Sequence, residues 1–347
     1  MDDMKYSQTI NIGNKKIGLE SSPYIVAEMA CSHEGKAEFA HKLVDIAADA
    51  QADAIQLQIV SVKDVVAPYH HIYKAGLKLE ISKEEWKDII LHAKERNLDV
   101  WVNAFDIQSL IFSDMPEVDV VKLHSADLSN PGMLELAANT GKPMSLSTGG
   151  STIDEISRAV TLLRNAGVQE LLLMHGYQAF PTKVSDSHIG FLKTLSKLFM
   201  CPVGYQDHTE GGTDLSFILP ITASCLGAVL LEKHITIDRA LKHTDYESAL
   251  NPDEFKRFVA LTREMNGAIG NGELVPLSDD MIKYRRSFKK SIVASRRIKK
   301  GETISEDMLC FLRADVGYPP TEINEIVGNQ CACDIEQFAT LKKEYFL

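Results

Sequence analysis

The sequence predicts a (βα)8 TIM barrel followed by a small β-rich domain. Apolar segments of four to six residues alternate eight times with amphipathic segments of about three helical turns, a pattern typical of a parallel sheet covered by helices. Eight repeats close such a sheet, and 347 residues suffice for a barrel of roughly 250 residues plus an extra module. An open doubly wound sheet is the alternative, but no GxGxxG motif follows the first strand.

Each element is predicted from its pattern of apolar residues. After an extended stretch at Thr9–Ile17, the predicted strands are Tyr24–Ala27, Ala54–Ile59, Val100–Asn103, Val120–Leu123, Met144–Ser147, Glu170–Met174, Val203–Tyr205 and Ala228–Leu231. The predicted helices are Ala37–Ala50, Lys83–Arg96, a short one from Ile107, Pro131–Asn139, Thr152–Ala166, Ser187–Phe199, Thr213–Cys225 and Pro252–Ile269. Capping boxes are predicted at Ser82–Glu85 and Ser151–Asp154, because a hydroxyl residue there precedes an acidic residue by three positions.

The pattern changes after the eighth helix. Asn271–Asp280 resembles a linker, and Tyr284–Lys290 is strongly basic. From Ser291 onward the chain has short apolar pieces and turns, namely Ser291–Ala294, Lys299–Gly301 and Leu309–Leu312. We therefore predict two domains, a barrel over residues 1–280 and a β-rich module over residues 281–347.

Composition is that of an ordinary globular protein and disfavours several function classes. Hydrophobic residues make up 45% and charged residues 24% of the chain, so a large core can form. The net charge of −11 disfavours a general nucleic-acid binder, which needs a basic face. The six cysteines lack CxxC spacing, and neither a secretory signal at Met1–Lys5 nor an apolar run of membrane length is evident. We expect a cytoplasmic protein with reduced cysteines and no membrane or nucleic-acid partner.

Two histidines follow the last two predicted barrel strands. His208 lies in Gly204–Thr209 and His234 in Leu230–Ile235, and each comes after an apolar segment. Side chains at the carboxyl ends of barrel strands point into the mouth, where catalytic groups of this fold collect. The pattern therefore predicts that both imidazoles hold a divalent metal ion. Two hydrogen-bonded histidines that only fill space are the alternative.

Several motifs, in order along the chain, resemble the sialic acid synthase family, the bacterial nonulosonic acid synthases. These motifs are Ala27–Gly35, Ala52–Gln58, Leu146–Gly149, Asp207–Thr209, Glu232–His234, and Arg313 ahead of Gly317. The match extends over nearly the whole chain, and the C-terminal part resembles that family's antifreeze-protein-like (SAF) domain. The resemblance implies a transferase that joins phosphoenolpyruvate to an amino-sugar aldehyde similar to N-acetylmannosamine and releases phosphate.

The resemblance also implies roles for individual residues. His208 and His234 would bind manganese, or alternatively magnesium or cobalt, which polarises the aldehyde. Glu28 would position or deprotonate the attacking water. The implied substrate-binding residues are Gln56, Gln58, Asn103, Lys122, Ser125, Asp127, Ser147, Gln178, Phe180, Gln206, Glu232, Asp245, Phe288 and Arg313. The alternatives are an internal salt bridge for Lys122 and a packing role for Phe288. Arg313 is implied to reach the barrel of the other subunit, so the resemblance predicts a homodimer whose C-terminal domain caps the partner barrel.

Several positions differ from the residues that are usual in the family. On the phosphoenolpyruvate side these are Gln56 for lysine, Asn103 for threonine, Gln178 for asparagine and Gln206 for serine. Loss of the lysine removes a charge that would pair with an anion, and charge-assisted hydrogen bonds are about twice as strong as neutral ones. On the acceptor side the differences are Asp127 for glutamate, Phe180 for tyrosine, and Ser32 and Glu34 for asparagines. We expect weaker or rearranged phosphate binding, and the acceptor sugar stays open.

Three functions are compatible with these residues. The first is a metal-dependent condensation that yields a 2-keto-3-deoxy acid of the sialic, legionaminic or pseudaminic type. The second keeps the metal-activated aldehyde but uses another donor, as Gln56 suggests. The third is a sugar-binding or regulatory protein that retained the barrel without turnover. It is disfavoured because Glu28, His208 and His234 are all present.

Overall fold

The computed structural model describes residues 7–270 and 272–346. The predicted polar start at Met1–Lys5 and Asn271, the first residue of the predicted linker, lie outside these ranges. The chain forms two compact units, residues 1–271 and residues 272–347. The domain boundary predicted between residues 280 and 281 falls inside a helix of the second unit, Asp279–Phe288.

The first unit is a closed barrel of eight parallel strands, which confirms the predicted fold. A hairpin of β1 (Ile10–Ile12) and β2 (Lys15–Ile17) precedes the barrel strands β3 (Tyr24–Glu28), β4 (Ala54–Ile59), β5 (Asp99–Ala104), β6 (Val120–Leu123), β7 (Met144–Ser147), β8 (Leu171–His175), β9 (Val203–Asp207) and β10 (Leu230–His234). Strands that are consecutive in sequence are neighbours in the barrel, and β10 closes it by pairing with β3. In that register His234 lies opposite Glu28, so an imidazole and a carboxylate share one level of the mouth.

Helices cover the outside of the barrel. They are α1 (Ala37–Asp49), α2 (Val62–Val65), α3 (Tyr73–Gly76), α4 (Lys83–Glu95), α5 (Ile107–Leu110), α6 (Pro131–Ala138), α7 (Ile153–Asn165), α8 (Phe191–Phe199), α9 (Leu215–Cys225) and α10 (Pro252–Ile269). Helix α1 shows how they pack, because its buried residues recur at the helical period: Ala40, Leu43, Val44 and Ala47. Such stripes join the outward-facing strand residues in one large core. None of the helices in residues 7–270 and 272–346 has the length and apolar composition of a transmembrane span.

The interior of the barrel changes from apolar to polar along its axis. At the amino-terminal end, Tyr24 and Trp101 pack in a buried apolar cluster with three residues of the hairpin, Ile10, Ile12 and Ile17. Toward the carboxyl end, the buried polar side chains are Glu28, Gln56, Asn103, Lys122, Gln206 and Glu232. The apolar layers fix the strands, and the polar groups collect at the end where this fold places its active sites.

Two helix starts illustrate how local sequence fixes the elements. Ser82 and Glu85 form the predicted capping box of α4. The box predicted at Ser151–Asp154 is wrong by one residue, because Thr152 caps α7 and Glu155 completes the box. The carboxylate at this third helical position accepts a 2.7 Å hydrogen bond from the Thr152 amide. Ser151 is therefore free to lie in the loop that follows β7.

The two strands that carry the histidines extend further than predicted. Strand β9 continues beyond Tyr205 to Asp207, and β10 covers Leu230–His234 instead of Ala228–Leu231. The reason is that Asp207 and Lys233 are buried as an ion pair. An apolar run cannot reveal strand residues that are charged and nevertheless buried.

The second unit contains α11 (Asp279–Phe288), an antiparallel pair of β11 (Lys290–Ala294) and β12 (Leu309–Arg313), and α12 (Ile323–Ile326). Its small core includes Ile292, Ile304 and Ile326. Helix α11 corrects the prediction of a linker that continues into a basic stretch. Ser278 caps this helix, and its apolar residues Met281, Tyr284 and Phe288 recur at the helical period but are exposed.

Candidate active site

His208 and His234 face each other at the carboxyl ends of β9 and β10. Their ring centroids are 5.1 Å apart, and the ring planes are nearly perpendicular, at 84°. Only 5% and 4% of the two residues is exposed. The ring of Phe180 lies 4.5 Å from that of His208 and 6.0 Å from that of His234. The two imidazoles that were predicted to act as a pair therefore lie side by side beneath an aromatic ring.

Each imidazole keeps a nitrogen for a ligand. His208 Nδ1 lies 2.9 Å from the carbonyl oxygen of Tyr177, so Nδ1 carries the proton and Nε2 keeps its lone pair. His234 Nδ1 is buried without a hydrogen-bond partner. Burial lowers the pKa of both histidines, and the pKa of His234 is lowered further by any positive charge on His208 and by the nearby Lys233 ammonium. Both rings are therefore neutral near pH 7, the form that binds metal ions.

The two nitrogens suit a first-row divalent ion that keeps open positions. Imidazole is a common ligand of such ions, and a metal-binding histidine usually donates its other N–H to a carbonyl or carboxylate, as His208 does. Among residues 7–270 and 272–346, no group of three or more His, Cys, Asp or Glu side chains is arranged to hold a metal ion. An ion here would have two protein ligands and would leave the other positions to water or substrate.

Glu28 ends β3 beside the histidine pair and is 1% exposed. Its Oε1 accepts a 2.6 Å hydrogen bond from the Ala30 amide, whereas Oε2 has no partner. Burial and the nearby Glu232 carboxylate raise the pKa of Glu28 well above its ordinary value, although Lys122 acts in the opposite direction. A carboxyl group with a raised pKa and a free oxygen is suited to exchange a proton with a bound water.

Lys122 and Glu232 form a buried ion pair inside the barrel. Lys122 Nζ lies 2.7 Å from Glu232 Oε1 and 2.6 Å from Oε2, and the two side chains are 2% and 3% exposed. Lys122 was predicted to meet an anionic substrate and Glu232 to orient sugar hydroxyls. Because each is the partner of the other, a bound phosphate or carboxylate must share or displace the Glu232 carboxylate.

Two of the substituted glutamines lie against glycines at the strand ends. Ser147 Oγ donates a 2.9 Å hydrogen bond to Gln206 Oε1. A Cβ added to Gly176 would overlap the Gln206 side chain and lie 2.6 Å from its carbonyl oxygen. A Cβ added to Gly149 would lie 2.7 Å from Gln178 Nε2. The long amides therefore occupy space that the glycines leave open.

Gln56 and Asn103 bring unsatisfied hydrogen-bonding groups to the mouth. Gln56 is fully buried, and neither its amide nitrogen nor its amide oxygen has a partner. Asn103 Oδ1 is buried and unpaired as well. Gln58 lies opposite Asn103 in the strand register and accepts a long contact of 3.8 Å from Cys31 Sγ. An unsatisfied buried polar group costs about 1–3 kcal/mol, so we expect these amides to bind water or a ligand.

The loop that carries Asp245 is tied to the loop that follows β3. Glu34 Oε1 accepts hydrogen bonds from the Thr244 amide at 2.6 Å and from its hydroxyl at 2.8 Å. Ser32 Oγ donates to the Thr244 carbonyl at 3.0 Å. Burial and the carboxylates of Glu247 and Glu34 raise the pKa of Asp245 to about 6. Ser32 and Glu34, which both differ from the residues usual in the family, therefore position the loop that carries Asp245.

The remaining predicted residues lie in a loop or in the second unit. Ser125 and Asp127 belong to a short 3-10 turn after β6, where Asp127 Oδ1 accepts a 2.9 Å hydrogen bond from Asn130. Phe288 and Arg313 belong to the second unit, and the Arg313 guanidinium lies 4.9 Å from the centre of the Phe288 ring. These two residues, which were predicted to serve the substrate and the neighbouring subunit, contact each other.

A second buried ion pair, not identified from the sequence, supports the histidine strands. Lys233 Nζ donates to Asp207 Oδ2, and both side chains are fully buried. Asp207 also accepts hydrogen bonds from the Thr209 hydroxyl at 2.8 Å and the Tyr205 hydroxyl at 3.1 Å. Because side chains alternate along a strand, this pair points away from the histidines that directly follow it. In the sequence, Asp207 directly precedes His208 and Lys233 directly precedes His234, and this was the signal from which the pair could have been predicted.

The chain is similar to proteins of one family over most of its length. The NeuB family matches residues 43–274, and the SAF domain matches residues 289–339. An uncharacterised protein of Methanocaldococcus jannaschii is 33% identical over 95% of this chain and 96% of its own length. The N,N'-diacetyllegionaminic acid synthase of Legionella pneumophila is 29% identical over 96% of this chain and 97% of its own length. The crystal structure of N-acetylneuraminic acid synthetase from Leptospira borgpetersenii, in complex with citrate, matches with a TM-score of 0.74 and 29% identity, covering 82% of this chain and 99% of that chain.

Proposed function

The chain belongs to the NeuB family and carries a SAF domain, and from this premise we propose that it condenses phosphoenolpyruvate with an amino-sugar aldehyde to form a nonulosonic acid. Membership confirms the resemblance read from the sequence motifs. Its relatives include proteins named legionaminic, pseudaminic and N-acetylneuraminate-9-phosphate synthases. The observation that carries the proposal is that His208, His234 and Glu28 meet at the mouth of the barrel.

We propose that His208, through Nε2, and His234 hold a divalent metal ion, with Mn²⁺ preferred and Mg²⁺ or Co²⁺ as alternatives. The support is the tautomer of His208, which the Tyr177 carbonyl fixes, together with the unpartnered Nδ1 of His234. When bound, such an ion polarises the aldehyde carbonyl as a Lewis acid.

The first chemical step forms the new carbon–carbon bond. The double-bond electrons of phosphoenolpyruvate attack the aldehyde carbon through the methylene group, the carbonyl π bond breaks, and the aldehyde oxygen takes a proton from water to become a hydroxyl. Lys122 is the buried cation available to the phosphate or carboxylate of the donor. The free amide groups of Gln56 and Asn103 offer neutral contacts beside it.

The second step removes phosphate. Water adds to the electron-poor carbon left by the first step, and Glu28 takes the released proton on Oε2, which has no other partner. The tetrahedral intermediate then breaks its carbon–oxygen bond to phosphate. Inorganic phosphate leaves and takes up the proton of the remaining hydroxyl, whose oxygen becomes the keto group of the product acid.

A different donor is the second candidate, and Gln56 is the observation that favours it. This side chain is neutral, fully buried and unpartnered at a position where lysine is usual in the family. A donor molecule with both a hydrogen-bond donor and an acceptor would satisfy the two amide atoms without needing a cation.

We also propose that the protein acts in the cytoplasm as a homodimer in which the C-terminal domain of one copy caps the barrel of the other. The support is that Arg313 matches the family's arginine that reaches into the barrel of the other subunit. Light scattering on the purified full chain measures the mass, and a mass equal to one chain of 38.5 kDa contradicts the dimer.

An assay of phosphate release tests the proposed condensation. The purified protein receives Mn²⁺, phosphoenolpyruvate and a panel of amino-sugar aldehydes that includes N-acetylmannosamine, and both phosphate and 2-keto-3-deoxy acid are measured. Equal amounts of the two products with one aldehyde support the proposal. No phosphate with any aldehyde contradicts it. Metal analysis then separates the remaining possibilities, because a metal-loaded but inactive protein favours another donor and a metal-free one favours a sugar-binding protein.

A further inference from the structure

A second pair of histidines lies outside the barrel, between α1 and α4. His41 Nδ1 and His92 Nδ1 are 2.9 Å apart, and the ring centroids are 4.9 Å apart. The outer nitrogen of each ring faces a carboxylate of the opposite helix, with 3.2 Å from His41 Nε2 to Asp88 and 3.3 Å from His92 Nε2 to Asp45. The histidine side chains are 29% and 23% exposed, so small ions can reach them.

The three contacts among these four side chains need three protons, and two neutral rings supply only two. Three contacts, from Asp88 to His41, from His41 to His92 and from His92 to Asp45, each join two acceptors unless a proton lies between them. Two neutral imidazoles carry only one proton each. If both protons face the carboxylates, the two Nδ1 lone pairs point at each other across 2.9 Å. A cation between the Nδ1 atoms removes this conflict.

We propose that His41 and His92 bind a divalent transition-metal ion, Zn²⁺ in particular, between their Nδ1 atoms. Zinc–nitrogen bonds of about 2.0–2.1 Å place two bound nitrogens about 3.0–3.4 Å apart, slightly more than the observed 2.9 Å. A small rotation of either side chain supplies the difference. Imidazole favours zinc, copper and nickel, whereas magnesium and manganese prefer oxygen ligands.

The two aspartates are placed as carboxylates commonly are behind metal-binding histidines. Each accepts an Nε2–H, which orients the ring and fixes the tautomer that presents Nδ1 to the ion. Arg96 lies 3.3 Å from Asp45 and 2.5 Å from Asp49, whereas Asp88 faces His41, so this arginine contacts two of the three carboxylates around the rings. This excess of negative charge favours a divalent cation.

The site links the first two strand–helix units of the barrel. Helix α1 follows β3, and α4 follows β4. In the described ranges no third His, Cys, Asp or Glu is arranged as a further ligand, so water completes the coordination. Because an ion bound only by the folded state stabilises that state, Zn²⁺ raises the melting temperature through these helices. The ion takes no part in the proposed condensation.

Anomalous diffraction from crystals of the full chain soaked in Zn²⁺ tests the site directly. We expect a zinc peak between His41 and His92. In solution, calorimetry is expected to show one more equivalent of Zn²⁺ for the wild-type chain than for the His41→Ala/His92→Ala variant. The control is His70→Ala/His71→Ala, which removes another close ring pair, 4.4 Å between centroids, and keeps the full zinc count.

Two further variants keep the ring nitrogens and alter only their support. Asp45→Asn and Asp88→Asn are each expected to weaken Zn²⁺ binding about 10–100-fold. The proposal is overturned if the map shows no peak between the rings, which is the result for a pair that only shares a proton. Equal zinc counts for the wild-type chain and a folded His41→Ala/His92→Ala variant also overturn it. The map needs no variant, so it decides the matter even if the alanine variant does not fold.

Discussion

Lys122 donates hydrogen bonds to both carboxylate oxygens of Glu232, at 2.7 and 2.6 Å, in the buried polar end of the barrel. Removing one member leaves the other charged and unpaired, so Glu232→Leu and Lys122→Met are each expected to destabilise the protein by about 3–5 kcal/mol. The double variant should be more stable than either single variant. Urea unfolding measures all three, and additive losses in the double variant would contradict this coupling.

Glu28→Gln is expected to lower turnover about 10²–10⁴-fold, because an amide cannot take a proton from water. The metal content should stay that of the wild-type chain, since Glu28 is not one of the proposed ligands. Steady-state kinetics and metal analysis provide the two measurements. Glu38→Gln, the same change on the exposed face of α1, is the matched control and should leave the rate unchanged. Parallel loss of metal and activity in Glu28→Gln would point to a ligand role instead.

Gln56→Lys is expected to tighten phosphoenolpyruvate binding about tenfold, since about 1.4 kcal/mol from one new charge-assisted contact gives that factor. Gln56→Met is the control, because it removes the unpartnered amide without adding a charge. Calorimetric titration of phosphoenolpyruvate measures both variants. If Gln56→Lys binds no more tightly than Gln56→Met, the neutral Gln56 does not weaken phosphoenolpyruvate binding, and the hypothesis of a different donor loses its main support.

Asp245→Asn tests the raised pKa of this carboxyl, about 6 against an ordinary value of 3.8. The folded state holds the proton more tightly than the unfolded chain, so ionisation of Asp245 costs stability. The cost is absent below about pH 4, grows between about pH 4 and 6, and then levels off at about 1–3 kcal/mol. The variant should therefore gain stability over the wild-type chain across that range. Urea unfolding at several pH values measures the gain, and a difference independent of pH would disprove the assignment.

Gly176→Ala is expected to destabilise the protein by about 1–3 kcal/mol and to displace Gln206. The added Cβ would lie 2.6 Å from the Gln206 carbonyl oxygen, a backbone contact that no side-chain rotation relieves. Gly190→Ala is the control, because no atom lies within 4 Å of the corresponding Cβ. Thermal unfolding compares the two variants, and equal melting temperatures would show that the Gly176 contact relaxes freely.

The barrel was predictable because the strand and helix periods are local properties of the sequence. The strands Ala54–Ile59, Val120–Leu123 and Met144–Ser147 have the predicted bounds. Helix α11 was not predicted, because its charged residues were interpreted as part of a linker and a basic stretch, and it buries none of its residues. The helix signals that the sequence offered were the Ser278 cap, the acidic residues of the first turn, and the spacing of Met281, Tyr284 and Phe288.

The positions of the site residues were easier to predict than their partners. His208 and His234 follow strands, and strand ends converge in any barrel. The partner of Lys122 lies 110 residues away in sequence, and that of His41 lies 51 residues away. Such pairings depend on side-chain directions between elements, which hydrophobic periodicity does not specify. The sequence therefore indicated which groups reach the mouth without indicating which of them bind each other.

The hairpin of β1 and β2 closes one end of the barrel to small molecules. Ile10, Ile12 and Ile17 are buried against the apolar side chains at the amino-terminal end, so that end forms a floor. A small molecule that reaches Glu28 therefore enters and leaves through the carboxyl-terminal opening of the barrel. In the proposed condensation, phosphate and the product acid would therefore leave through the same opening as the substrates enter.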